Sequence, residues 1–342
     1  MVEHATAQGA ERDRVLYAEQ ALYVRSPFNL WITTALLYAA MIGTFALAAA
    51  IDGVSISGPR GYGAPSLDEG VRVALILPLI VCSVLGLQRY SRLGELRDAA
   101  AFAQALTPGV RWEPPFSMRR LRVATAIGVA AGLAAVAFAV AQGASPIRPA
   151  TTIWFATVAA LLAALFFRGV VLTRAGAQHT REVIEKHLEI DLLRIERLYP
   201  WGRSAVRTSL IWFTVCASTL LLFASTGFTL YTAALLVACA VMGLWVFIGA
   251  MSQMHRQICL AKAAELDSLR SEITGLRARL AADKAAAAQL QSLLAYEARI
   301  AAAPEWPFDQ TMLMRVGVSS LILTVPWFGQ AFAGVVVSHL GG

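Results

Sequence analysis

The chain has 342 residues, 57% of them apolar and 15% charged, with a mean hydropathy of +0.60 and a formal net charge of +7. So apolar a composition excludes an ordinary soluble globule. Acids and bases share the same stretches, so the positive balance needs no nucleic-acid partner to explain it.

Six stretches reach or approach the roughly 20 residues that cross a bilayer. They are Leu30–Ile51, 71–88, 123–142, 151–173, 210–228 and 229–250, and 312–340 supplies a seventh. The expected fold is an all-α, polytopic membrane helix bundle of six or seven transmembrane helices with cytoplasmic helical extensions. All Lys and Arg except Arg60, Arg72, Arg148, Arg168 and Arg315 fall in 1–28, 89–122, 174–208 and 251–311. The positive-inside rule places those segments in the cytoplasm. The N-terminus is then cytoplasmic, and seven spans carry the C-terminus outside.

Taken in order, 1–28 is a cytoplasmic segment with an amphipathic helix over 11–25, ended by Ser26-Pro27. It does not read as a signal peptide, because acids balance its arginines. Residues 29–250 form the six-span domain, with helical inner loops at 89–122 and 174–208. Thr107-Pro108-Gly109 stops the first loop helix, and Arg119, Arg120 and Arg122 suit lipid headgroups. Gly128 and Gly132 mark a small-residue packing face. Ile184, Leu188, Leu192, Ile195 and Tyr199 recur at helical spacing, which predicts a helix running on to a breaker at Tyr199-Pro200-Trp201-Gly202.

Residues 251–310 are coiled-coil-like. Leu266, Leu269, Ile273, Leu276 and Leu280 alternate steps of three and four, the seam of a helix packed on another helix. A straight helix over 251–302 would reach about 75 Å, whereas 303–310 could return only about 28 Å. A hairpin bent at Gly275 or near Asp283-Lys284 resolves the mismatch if 311–342 holds the seventh span. A straight stalk whose last run never enters the bilayer is the alternative.

Sites are sparse. His179, Glu182, Glu185, His187 and Asp191 alternate with Arg181 and Lys186, which reads as a salt-bridged solvated face rather than a metal site. The four cysteines, Cys82, Cys216, Cys239 and Cys259, show no Cys-x-x-Cys or Cys/His ligand spacing. HExxH, a Gly-rich phosphate loop and GxSxG are missing, so neither enzymatic activity nor a cofactor or metal is expected. The apolar spans hold no Asp or Glu, which argues against a proton- or sodium-coupled transporter. In the last run Arg315, Ser319, Pro326 and Gln330 align on one helical face, the candidate lining of a polar path.

Seven spans, long helical inner loops and a last helix divided between cytoplasm and membrane resemble the insect odorant and gustatory receptor channels. The resemblance lies in topology alone and transfers no residue. It implies a homo-oligomer with the last span lining the pore. The leading expectation is therefore an oligomeric ion channel, and the alanine- and arginine-rich composition, with only Lys186, Lys262 and Lys284 as lysines, points to a bacterial inner membrane. A non-conducting scaffold or signalling component, docking a cytoplasmic protein through 251–310, is second, and a small-solute transporter third.

Overall fold

The computed structural model describes residues 21–54, 69–110, 117–141, 148–221, 230–278 and 284–306, together with Met314. The protein is all-α: no strand occurs among the described residues. In chain order the helices are α1 (Ala21–Arg25), α2 (Leu30–Ile51), α3 (Glu69–Gln104), α4 (Met118–Ala141) and α5 (Pro149–His187), followed by a 3-10 turn at Ile195–Leu198. Then come α6 (Tyr199–Leu221), α7 (Leu230–Arg277) and α8 (Lys284–Ala301).

Among the described residues, α2, α3, α4 and α5 are each long and apolar enough to cross a membrane. The stretches expected at 210–228 and 229–250 reach into 222–229, outside the described residues, as does all of 312–340 apart from Met314. The most apolar window of α3 is 61% buried, whereas those of α2, α4 and α5 are each only 17% buried. α3 is thus the central helix and the others turn apolar faces outward. Phe138 is 66% exposed, Ile153 65% and Trp31 60%. In water such a surface would drive aggregation; against lipid it is the expected solvent-facing side.

Local chemistry explains where the helices stop. Asn29 caps α2 through its side chain, accepting from Ile32 N at 2.9 Å. At the other end Gly53 takes φ +63°, Val54 N donates to Ala49 O at 2.8 Å and Gly53 N to Ala50 O at 3.3 Å. That is a Schellman ending, which requires a left-handed residue and therefore favours glycine. Asp52, at the turn, reaches across to the start of α5. Its carboxylate accepts from Thr151 N at 2.7 Å, Thr151 Oγ1 at 2.8 Å and Ala150 N at 3.2 Å. Arg148 gives that terminus no side-chain cap and Pro149 has no N–H, so a residue almost a hundred positions earlier supplies the cap. The bond from Thr151 N is the main cause that holds the Asp52 carboxyl below its ordinary value. One turn further on, Trp154 Nε1 donates to Thr44 Oγ1 at 3.0 Å and the ring packs on Phe45, with centroids 5.0 Å apart.

α4 lies against α5 with almost no space between the backbones. A Cβ on Gly128 would sit 2.5 Å from Ala164 Cα, and one on Gly132 would sit 2.5 Å from Ala159 O. The third-span glycines are therefore the contact itself, as small-residue membrane interfaces require.

At the end away from Asp52, one core gathers four separate parts of the chain. Phe102 and Leu106 come from the end of α3, Val183 and Ile184 from α5, Leu198 and Trp201 from the α6 entrance, and Met254 and Ile258 from α7. Here the structure departs from the helical spacing seen in the sequence. α5 ends at His187, and Leu188 turns extended to bridge Leu106. Thr107 N donates to His187 O at 3.0 Å and Glu189 N to Ala105 O at 3.0 Å, so this exchange satisfies backbone groups that a longer helix would have bonded internally. Pro200 starts α6 rather than breaking a preceding helix, a first-turn position where a missing N–H costs nothing.

Gly132→Leu should force α4 from α5 and lower stability by about 1–3 kcal/mol. Gly43→Leu, where a Cβ meets nothing within 4 Å, should be close to neutral. Melting of the two variants in detergent, compared by loss of helical signal, measures the difference.

Candidate functional site

Where the apolar and polar halves of the bundle meet, α3 and α6 are locked by charge. Asp98 on α3 is only 9% exposed. Arg203 donates from Nη2 to Asp98 Oδ1 at 2.7 Å, and Arg207, one turn further along α6, donates from Nη2 to Asp98 Oδ2. The Arg207 side chain is 11% exposed and that of Arg203 43%. Gly94, one turn before Asp98, creates the seat for Arg207: a Cβ there would lie 2.4 Å from Arg207 Cζ. Edge-to-face packing of Phe102 on Trp201, at 4.8 Å, closes the same interface below the charges.

Beside this lock lies a cavity of about 1230 Å³ between α3, α5, α6 and α7, with α4 touching one side. Its apolar part is lined by Leu77, Ile80, Leu162 and Trp212, and its polar part by Gln88, Ser91, Arg92, Glu95, Arg174 and Arg181. From Leu77 to Arg92 the lining runs about 22 Å along α3. The cavity therefore extends from the apolar half of the bundle into the charged half. Gln88 Oε1 is buried with no protein partner, which leaves its carbonyl able to accept a bond from whatever fills the cavity. Arg92 pairs with Glu95 at 3.4 Å and Arg181 with Glu185 at 3.0 Å; because the lining itself holds Arg92, Arg174 and Arg181 against Glu95, the rim is mixed but net basic.

The second polar concentration is the base of the α7–α8 hairpin. α8 runs back along α7, joined by Arg270 Nε to Glu297 Oε1 at 3.1 Å and Tyr296 OH to Glu265 Oε1 at 3.2 Å. Below them Lys262 Nζ donates to Ala303 O at 3.1 Å and to Glu305 Oε1 at 3.2 Å. His255 Nδ1 lies 2.9 Å from Glu305 O, and Trp306 stacks flat on the imidazole at 4.1 Å and 7°. Cys259 Sγ sits 3.6 Å from His255 Nε2. Burial, and after it the Glu305 carboxylate, push the Cys259 thiol above its ordinary value.

The structure distributes the sequence-derived residues unevenly. Along α7, Leu269 and Ile273 are buried and Leu266 and Leu276 half-buried, while Leu280 lies outside the described residues. Gly275 stays helical within α7, which ends at Arg277; α8 begins at Lys284, and Asp283 lies outside the described residues. Arg315, Ser319, Pro326 and Gln330 all lie outside the described residues. Glu182 pairs with Lys186 at 2.7 Å, as the solvated-face reading of that helix expects.

Two groups escaped the sequence reading. His255 and Cys259 are one helical turn apart, a His-x-x-x-Cys spacing that is present in the sequence but is too common by itself to mark a site. Asp98, Arg203 and Arg207 give no local signal, because their pairing spans more than a hundred residues.

No protein-family model matches the chain, and neither a curated protein nor a solved structure matches it.

Asp98→Ala should leave a buried guanidinium uncompensated and cost about 3 kcal/mol, with Arg203 able to turn to solvent. Thermal melting in detergent reads the loss. A substitution at the exposed Arg181–Glu185 pair should change the melting point by far less.

Proposed function

We propose that the chain is an oligomeric membrane channel whose cavity between α3, α5, α6 and α7 is the vestibule on the cytoplasmic side. In this reading six or seven helices span a bacterial inner membrane, the N-terminus is cytoplasmic and the C-terminus external. The carrying observation is the cavity itself: about 1230 Å³ of space that begins among apolar side chains and ends at Arg92, Arg174 and Arg181. A net basic mouth concentrates anions and repels cations. The path through the bilayer would be completed by 312–340 from several subunits, with Arg315, Ser319, Pro326 and Gln330 on its lining face. With no acid in the apolar stretches, hydroxyls, amides and backbone carbonyls would do the coordinating. No catalytic role is assigned to any residue.

One observation favours a second reading, a non-conducting scaffold. Leu260 and Leu294 on the α7–α8 hairpin are 53% and 47% exposed, which suits docking of a cytoplasmic protein or another subunit.

Purified protein in liposomes separates the two. The channel reading expects dissipative chloride flux well above that of empty vesicles, with Arg174→Glu lowering the chloride-to-potassium ratio. Folded, oligomeric protein that passes neither ion would reject it and leave the scaffold.

A further inference from the structure

We infer that His255, Cys259 and Glu305 form a binding site for one divalent cation of the zinc class, which staples the chain after α8 to α7. Each residue offers one ligand atom, and the three atoms lie within 4.8 Å of one another. Zinc–nitrogen and zinc–sulfur bonds of about 2.0 and 2.3 Å at a tetrahedral angle put N and S about 3.5 Å apart. The Sγ to Nε2 distance is 3.6 Å. The donor set is an imidazole, a thiolate and a carboxylate, which selects zinc-like ions over the hard cations that take oxygen alone.

The surroundings resemble the outer shell such a site needs. A ligating histidine usually gives its second ring N–H to a carbonyl or carboxylate, which fixes the tautomer. Here Nδ1 faces Glu305 O at 2.9 Å, leaving Nε2 for the cation, and Trp306 holds the ring plane from one side. Sγ is 3.7 Å from Nδ1 as well, so it faces the ring edge between the two nitrogens. Loading the site therefore swings the Cys259 thiolate about its χ1 from that edge toward Nε2, while Nδ1 keeps Glu305 O. The Glu305 side chain is 48% exposed, which gives the ion a route in and leaves the fourth position to water. Binding deprotonates Cys259, and the proton leaves to solvent.

Lys262 is the built-in competitor. Its ammonium neutralises Glu305 at 3.2 Å and also holds Ala303 O at 3.1 Å. A cation arriving at Glu305 meets that positive charge, so removing it should tighten binding. A purely structural Lys262 would give no such gain.

The test uses full-length protein in detergent, stripped with a chelator and then given Zn²⁺ alone or Co²⁺ as a spectroscopic probe. We expect one Zn²⁺ per chain after desalting, and a near-ultraviolet thiolate-to-Co²⁺ band that Cys259→Ser abolishes. His255→Ala and Glu305→Gln should weaken binding by more than about tenfold, since even outer-shell changes cost that much. Lys262→Met should strengthen it several-fold. Circular dichroism checks that each variant is folded. Folded wild-type protein that retains no Zn²⁺, or a Co²⁺ spectrum unchanged in Cys259→Ser, would overturn the site.

Discussion

A hydrocarbon layer about 30 Å thick is crossed by some 20 helical residues, yet the apolar helices α3 and α5 have 36 and 39 residues. That mismatch governs the molecule. Each helix runs through both halves without a loop, although Pro78 in α3 has no N–H to give the carbonyl of Ala74. The polar halves must then pack on something outside the lipid. They pack on each other, in the core built from Phe102, Ile184, Leu198 and Met254, and α8 folds back to cover part of α7. A second structured body thus grows out of the membrane helices without a linker.

The two ends are secured by different chemistry. At one end Asp52 caps a foreign helix through three hydrogen bonds, which fixes the height of α5 relative to α2. At the other end Asp98 binds two arginines one turn apart, which fixes the rotation of α6 relative to α3. Between them the contacts are steric: Gly128 and Gly132 allow α4 and α5 to touch. In lipid the hydrophobic effect does not press helices together, so close packing and polar contacts have to set the arrangement. The cavity lies where the locks and the glycine contact leave α3, α5 and α6 apart.

Much of this was legible in the residues, and the limits are physical. Hydropathy exposes long apolar helices because composition alone decides what lipid accepts. The three-and-four spacing of Leu269 and Ile273 marks a packed face because helix geometry is local. Periodicity misled at Leu188, Leu192 and Ile195, which keep helical spacing although their backbone leaves the helix. Their side chains are wanted by the core at Phe102 and Trp201, and the bridge to Leu106 satisfies the backbone. The Asp98 pair and the Asp52 cap depend on contacts across about a hundred residues, beyond any local pattern. His255 and Cys259 were visible in spacing, but Glu305 meets them only once the hairpin has closed.

The claim that these helices pass through a bilayer, with their polar halves and hairpin on one side, is tested most directly by sided chemical labelling. In a background with Cys82, Cys216, Cys239 and Cys259 replaced by alanine, single cysteines would be placed by Ala141→Cys at the end of α4 and Gly275→Cys on the hairpin. Both positions are exposed, and a Cβ at 275 meets nothing within 4 Å. A membrane-impermeant thiol reagent on intact spheroplasts of a bacterial expression host should modify the cysteine at 141 and spare that at 275, with the pattern reversed in inverted vesicles. Labelling of both positions from the same side would contradict the account.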